Sequence, residues 1–316
     1  MAVTRWGILS TARINRAVLA GAGESEEVEV VAVASRDGAR AEAYAREHGI
    51  ARAHASYEAL LEDDDVDAVY ISLPNSMHHE WTLRALAGGK HVLCEKPYTR
   101  RADEVDEAFD AADRAGLVLS EAFMWRHNPQ TRRLVELLPE IGELRGVRST
   151  HAFLLADETN VRLIADLDGG GLMDVGCYCV NAARLLGGEP ERVYGEQVVG
   201  STGVDVHFTA TLRFADGVIA EFVCGFDFIH RELEVLGTAG TLKTLDPFTL
   251  SRGGVYLNGE EIPVEPEDPY RLELENVSAA AKGEAPLLLG RADALGQART
   301  IEALYESADI RAPVEL

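Results

Sequence analysis

The stretch Trp6-Gly7-Ile8-Leu9-Ser10-Thr11-Ala12-Arg13-Ile14 decides how the first half of the chain reads. It begins as an apolar strand, breaks at Ser10 and continues into a helical pattern, which is where a dinucleotide-binding fold places its phosphate loop. Of the glycines usual in such a loop only Gly7 is present. Ser10 and Ala12 are still small enough for close backbone approach, and a helix start offers amide donors and a positive dipole end to a pyrophosphate. Gly7, Ser10, Thr11, Ala12, Arg13 and Ile14 are therefore the candidate phosphate contacts.

Outward from this point, apolar strand patterns at 28–34, 68–73, 91–94 and 117–123 alternate with amphipathic stretches at 37–48, 57–62, 79–87 and 102–115. Such alternation predicts a parallel α/β sheet with crossover helices. After about residue 144 the pattern changes to long β-rich runs at 144–155, 193–199, 204–214 and 218–228, broken by turns such as Ala215-Asp216-Gly217. Helical patterns at 172–186, 269–281 and 291–307 are expected to cover one face of that sheet. The expectation is a Rossmann dinucleotide-binding domain over 1–122 and an α+β domain with a large, mostly antiparallel open sheet over 123–316.

The chain has 316 residues, 26% of them charged, and a formal net charge of -23, which opposes the basic face needed to displace counterions from nucleic acid. It shows no basic-plus-apolar leader and no uncharged apolar stretch of about 18 residues, so a soluble, cytoplasmic protein without a membrane partner is expected. Cys94, Cys177, Cys179 and Cys224 form no C-x-x-C pair, and His78 and His79 lack a third ligand at metal spacing. The acidic run 62–65 alternates in direction and reads as a solvated edge. No metal is expected.

The second strand ends in Ala34-Ser35-Arg36-Asp37, where NAD enzymes usually carry an acid for the ribose hydroxyls. A guanidinium can hold a phosphate bidentately, so Ser35 and Arg36, with Arg40 nearby, predict a 2′-phosphate site and NADP over NAD. The competing reading makes Arg36 a solvated residue and Asp37 a helix N-cap or ribose ligand. Two further strands end in polar residues, at Leu73-Pro74-Asn75-Ser76-Met77-His78 and at Cys94-Glu95-Lys96-Pro97, and ligands of open α/β sheets gather at such ends. Lys96 is one of only four lysines and precedes a proline, a restricted extended position.

Glu95-Lys96-Pro97, with Pro74-Asn75 and His78 one unit earlier, resembles the Gfo/Idh/MocA oxidoreductase family. Further matches are Trp6-Gly7-Ile8, Ala122-Phe123-Met124-Trp125-Arg126, and Gly169-Gly170-Gly171-Leu172 followed by Asp174, Gly176 and Tyr178. Tyr178, where many members have His, is similar to the branch containing dimeric dihydrodiol dehydrogenase, NADP-dependent D-xylose dehydrogenase and glucose-fructose oxidoreductase. Ser10 and Ala12 depart from the usual phosphate loop, and Tyr178 departs from a His mechanism.

The resemblance implies that Tyr178 exchanges the carbinol proton, that Lys96 supports it and binds the substrate oxygen, and that Asp174 orients a second hydroxyl or Lys96. A phenol with a pKa of about 10 is too weak an acid for this unless a cation stabilises its anion. Asp174, Tyr178 and Asn181 share one face at helical spacing and form, with Lys96, the candidate substrate site. Leu73, Asn75, His78, Glu95, Lys96, Trp125 and Arg126 complete the candidate cofactor contacts, although Trp125 reads equally as packing. The substrate implied is a small hydroxylated sugar or diol, and the partner a second copy in a homodimer or homotetramer through the open sheet. A biosynthetic ketosugar reductase would use the same residues, and a non-catalytic NAD(P)-binding regulator is the reading from another class. The loops 156–168 and 247–256 carry substrate identity and have no derivable conformation.

Overall fold

The computed structural model describes residues 3–249 and 253–316; the part of the expected 247–256 loop at 250–252 lies outside the described residues. The chain divides into two compact units, one of Met1–Thr99, Asp103–Met124 and Asp268–Leu295, the other of Arg100–Ala102, Trp125–Glu267 and Gly296–Leu316.

The first unit carries β1 (Thr4–Leu9), α1 (Asn15–Gly23), β2 (Val28–Ala34), α2 (Gly38–His48), β3 (Arg52–His54), α3 (Tyr57–Leu61), β4 (Ala68–Ile71), α4 (His78–Ala87), β5 (His91–Glu95), α5 (Ala102–Ala115) and β6 (Leu119–Ala122). Its six strands are all parallel, in the order β3-β2-β1-β4-β5-β6. The order reverses between β1 and β4, and in open α/β sheets ligands bind at the carboxyl ends of such a pair.

Three buried polar side chains join those two ends. Ser10, just past β1, meets the Ser72 hydroxyl at 2.8 Å, and Ser72 donates to Asn15 Oδ1 at 2.6 Å. Asn15 in turn donates to the Ser10 carbonyl at 3.0 Å, and Ala12 N–H donates to Ser10 Oγ at 3.0 Å. Ser10 holds φ at 131°, a region that favours glycine. The network thus stabilises a turn in which the missing loop glycine has been replaced by a hydroxyl.

The remaining elements of the molecule are α6 (Pro129–Glu136), β7 (Leu144–Ala152), α7 (Cys177–Gly187), β8 (Arg192–Val199), β9 (Asp205–Arg213), β10 (Ile219–Gly225), β11 (His230–Gly237), β12 (Thr241–Leu245), β13 (Val255–Leu257), β14 (Glu260–Ile262), α8 (Pro269–Ala281), α9 (Arg291–Ile310) and β15 (Val314–Glu315). The second unit is built on a sheet in the order β14-β13-β12-β11-β7-β10-β9-β8-β15, in which only β7 and β10 pair in parallel. Helix α7 packs on β7 and β10. From Gly296 onward α9 belongs to this unit, where Gln297 donates to Cys177 O at 2.8 Å and Ser307 Oγ accepts Gly195 N–H at 3.0 Å.

One expected helix belongs elsewhere. The 269–281 pattern was expected on the second sheet, but α8 packs against α1 in the first unit. A Cβ at Gly21 would lie 2.6 Å from Arg271 N, so a glycine on α1 permits the close approach. The indole of Trp6 in β1 donates to Ser278 Oγ of α8 at 3.1 Å. Amphipathicity requires a partner for α8; it does not say which sheet supplies it.

Helix α8 also buries Glu273, 1% exposed, whose Oε1 has no hydrogen-bond partner among the described residues. Burial, with Glu95 nearby, pushes its pKa well above the ordinary carboxylate value of 4.5. Glu95 itself accepts a hydrogen bond from the Tyr70 hydroxyl.

Two outcomes are expected. Ser10→Ala removes the hydroxyl while keeping the backbone strain and lowers stability by about 1–3 kcal/mol in urea unfolding, because Ser72 is left underpaired; Ser10→Gly, which relieves strain worth about 1–3 kcal/mol, loses less. Equal midpoints for wild type and Ser10→Ala would show that the network contributes nothing. For Glu273, the native state holds a proton that the unfolded chain releases above pH 4.5, so native stability falls as pH rises from there towards the elevated folded pKa. The melting temperature of Glu273→Gln relative to wild type should therefore climb between pH 4.5 and 8, and a difference independent of pH would contradict it.

Candidate functional site

The cofactor end of the first unit departs from the expected contacts in two places. Gly7 lies inside β1, and a Cβ there would sit 2.7 Å from Leu60 Cδ2 and 3.1 Å from Val66 Cγ1. Its missing side chain makes room for α3, not for a phosphate. His78 is fully buried, with Nδ1 2.9 Å from Pro97 O and Nε2 2.8 Å from Leu73 O. Burial lowers its pKa although both carbonyls favour the charged form, so the imidazole is a strut between the loops after β4 and β5. It holds Leu73 and the Lys96-Pro97 segment, whose peptide bond is cis, in place; it presents no nitrogen to a nicotinamide. Asn75 begins a one-turn helix, Asn75–Met77, and Lys96 is half-buried at the end of β5.

At the end of β2 the capping role that the competing reading gave Asp37 is present. Asp37 is the N-cap of α2, its carboxylate accepting Arg40 N–H at 3.2 Å, and Ser35 Oγ accepts Asp37 N–H at 3.2 Å. The acid that could have met ribose hydroxyls is thus engaged in capping, while Arg36 and Arg40 are exposed. That donor set fits a 2′-phosphate better than a free 2′-hydroxyl.

In the second unit the triple glycine forms a turn around a buried carboxylate. Asp205, 3% exposed, accepts Leu172 N–H at 2.6 Å and the Tyr305 hydroxyl at 2.8 Å. Gly170, at φ 132°, could not carry a side chain: its Cβ would lie 2.2 Å from Asp205 Oδ1. Burial holds the Asp205 pKa above its ordinary value, and the hydrogen bonds from Leu172 and Tyr305 offset only part of that rise. Arg100 lies 4.8 Å over the Tyr305 ring and donates to Asp168, tying the same turn from its other side.

The turn leads into a π-helix, Leu172–Gly176, and then into α7. The sequence spacing predicts one continuous α-helix over 172–186; the wider π turn is a difference of the kind found often at functional sites. Gly176 lets it pack, since a Cβ there would be 2.6 Å from Cys224 Sγ of β10. Asp174 lies on this π segment and Tyr178 on the first turn of α7. The Asp174 carboxylate accepts Arg162 Nε–H at 2.7 Å.

Tyr178 is 8% exposed and sits in an aromatic cluster, its ring centroid 5.2 Å from His151 and 5.4 Å from Phe248. His151 stacks on Phe248 at 5.2 Å, and Trp125 meets Phe248 edge-on at 5.3 Å. Asn181 is fully buried: its Oδ1 accepts from Trp125 Nε1 at 3.1 Å and Arg126 Nη1 at 3.3 Å, and its Nδ2 donates to Gln297 at 3.4 Å. Asn181 therefore anchors Trp125 and Arg126 instead of facing a substrate, and Trp125, 1% exposed, is packing. The residues that sequence reasoning missed are Arg162, His151, Phe248, Asp205 and Tyr305. Asp205, which opens β9 from its buried side, was the one with a visible signal.

Known proteins resemble this chain over nearly its whole length. Residues 4–123 match the model of an oxidoreductase family with an NAD-binding Rossmann fold, and residues 131–243 match the Gfo/Idh/MocA C-terminal domain. A D-xylose 1-dehydrogenase (NADP(+)) of Haloferax volcanii is 42% identical, the match covering 98% of this chain and 99% of that one. A 3-ketoreductase from Actinomadura kijaniata, solved with NADP and TDP-benzene, superposes with a TM-score of 0.91 at 33% identity over 96% of this chain and 98% of its own. The aldose-aldose oxidoreductase of Caulobacter crescentus, complexed with glycerol, gives 0.92 at 26% identity over 99% and 100%. The chain belongs to the Gfo/Idh/MocA family of oxidoreductases.

Proposed function

We propose that this oxidoreductase uses NADP and acts on a carbinol of a small hydroxylated substrate, a sugar or a related diol. The observation that carries the reading is the arrangement at the start of α7: an acidic side chain held by a guanidinium, then one turn later a phenol enclosed by His151 and Phe248. Nothing in a structural helix start calls for that pairing, whereas a carbinol needs both a hydroxyl acceptor and a proton carrier. Exposed Arg36 beside the capping Asp37 supports NADP. Likeness to a D-xylose 1-dehydrogenase across the whole chain supports the substrate class.

In this reading Tyr178 takes the carbinol proton on oxidation and returns it on reduction. Lys96 supplies a positive charge to the substrate oxygen and favours the phenolate, and Asp174 accepts a hydrogen bond from a neighbouring hydroxyl. The nicotinamide, when bound, accepts or returns the hydride. The Ser10-to-Ile14 turn binds the pyrophosphate, and Asn75, Glu95 and Arg126 remain proposed cofactor contacts. The likeness to a 3-ketoreductase favours the reductive direction as a second reading with the same residues.

We propose self-association through the larger sheet, where Val198 and Val199 of β8 are 58% and 54% exposed. No helix among the described residues is long and apolar enough to cross a membrane.

NADPH formation with aldoses and dihydrodiols tests the reading. Wild type should turn over with NADP in preference to NAD, Lys96→Ala and Tyr178→Phe should each lose about 10²–10⁴-fold in kcat, and Arg36→Ala should raise KM for NADP while leaving that for NAD unchanged. Full turnover in either Lys96→Ala or Tyr178→Phe would overturn the proposed chemistry.

A further inference from the structure

Arg162 belongs to none of the motifs, yet it is attached to the Asp174 turn through both its side chain and its backbone. Its Nε–H donates to Asp174 Oδ2 at 2.7 Å. Its carbonyl accepts Gly170 N–H at 2.9 Å, and a Cβ at Gly169 would lie only 2.4 Å from that oxygen. Asn160 caps the one-turn helix Val161–Leu163, accepting Arg162 N–H at 3.1 Å. The arginine is thus seated before its side chain reaches out, and less of its freedom is lost in pairing.

We propose that Arg162 is a positioning residue of the substrate site: it fixes the Asp174 carboxylate in one orientation, as an anion ready to accept a hydroxyl of a neutral polyhydroxylated substrate. The proposal deepens the functional reading above and rests on it for the role of Asp174. An ion pair between two exposed side chains would contribute about 0–1 kcal/mol and decide little. Here the Asp174 side chain is only 14% exposed against 42% for Arg162, so the carboxylate is the sheltered partner and the guanidinium its cover. Removing the guanidinium takes away the 2.7 Å hydrogen bond that holds Oδ2 of this sheltered carboxylate in one direction, and a turned carboxylate no longer presents the same acceptor. Guanidinium stays charged at every working pH, and the Arg–Asp pair is neutral overall, which suits an uncharged polyol better than a bare carboxylate suits a sugar acid or phosphate.

The experiment measures sugar binding apart from turnover. The full-length protein saturated with NADPH, which cannot accept a hydride from the sugar, is titrated with D-xylose, monitored by intrinsic fluorescence, for wild type, Arg162→Ala, Arg162→Lys, Asp174→Asn and the Arg162→Ala/Asp174→Asn double variant. NADPH affinity and thermal melting are recorded for each. Arg162→Ala should raise the xylose dissociation constant about tenfold or more, the weight of one charge-assisted hydrogen bond, and leave NADPH affinity and melting close to wild type. Arg162→Lys should recover part of the loss, and the double variant should bind no worse than Asp174→Asn, since both changes remove the same acceptor. Unchanged xylose affinity in Arg162→Ala, additive losses in the double variant, loss of NADPH binding in step with xylose binding, or no xylose binding by wild type would each overturn it. Turnover surviving in Lys96→Ala or Tyr178→Phe would overturn the proposed chemistry while leaving an Arg162 effect on xylose affinity intact.

Discussion

The hydrogen bonds among Ser10, Ser72 and Asn15 hold together the two strand ends at which the parallel sheet reverses its order. A parallel sheet covered by helices has few places where backbone groups face outward, and the reversal is where neighbouring crossovers part. Dinucleotide folds usually fill that point with glycines. Here a serine accepts a positive φ and recovers the cost through two buried partners, Ser72 and Asn15. Asn15, the first residue of α1, is one of those partners, so the network ties the start of that helix to both strand ends. Helix α8 then packs on α1 at Gly21, so the first unit is completed by residues far along the chain.

The second unit applies a similar solution with a buried carboxylate. Asp205 accepts the Leu172 amide that the turn would otherwise leave unpaired, and Gly169 and Gly170 are there because neighbouring oxygens occupy the space of their side chains. Tyr305, Arg100 and Asp168 close the turn. The chain then winds into a π-helix, which carries Asp174 ahead of Tyr178. Both turns thus place polar groups in buried positions and satisfy them with hydrogen bonds.

Much of this was legible in the sequence because it depends on local rules. The alternation of apolar runs with amphipathic stretches required the parallel sheet, and Asp37 at the start of a helix pattern was readable as a cap. Lys96 and Tyr178 stood out through a family resemblance to short motifs. The illegible part depends on contacts distant in the chain. The short strands β12 to β14 carry too few residues for periodicity. The partner of α8 was set by Gly21 and Trp6, some 250 positions away. Asn181 looked like a ligand contact by spacing, and Gly7 and His78 by their place at strand ends, and each is committed to neighbours that only the fold brings to it. Arg162 lay in a loop with no periodic signal, and its importance appears only once its guanidinium meets Asp174.

Direct transfer of a hydrogen from a substrate carbinol carbon to NADP is the step on which every proposed role in the site depends. The decisive measurement uses an aldose deuterated at its carbinol carbon, with the reduced cofactor collected and its C4 position read by NMR. Direct transfer puts deuterium on one face of C4 and gives a slower rate than the protiated sugar. Reduced cofactor carrying no deuterium, or no reduced cofactor from any sugar or diol, would contradict it.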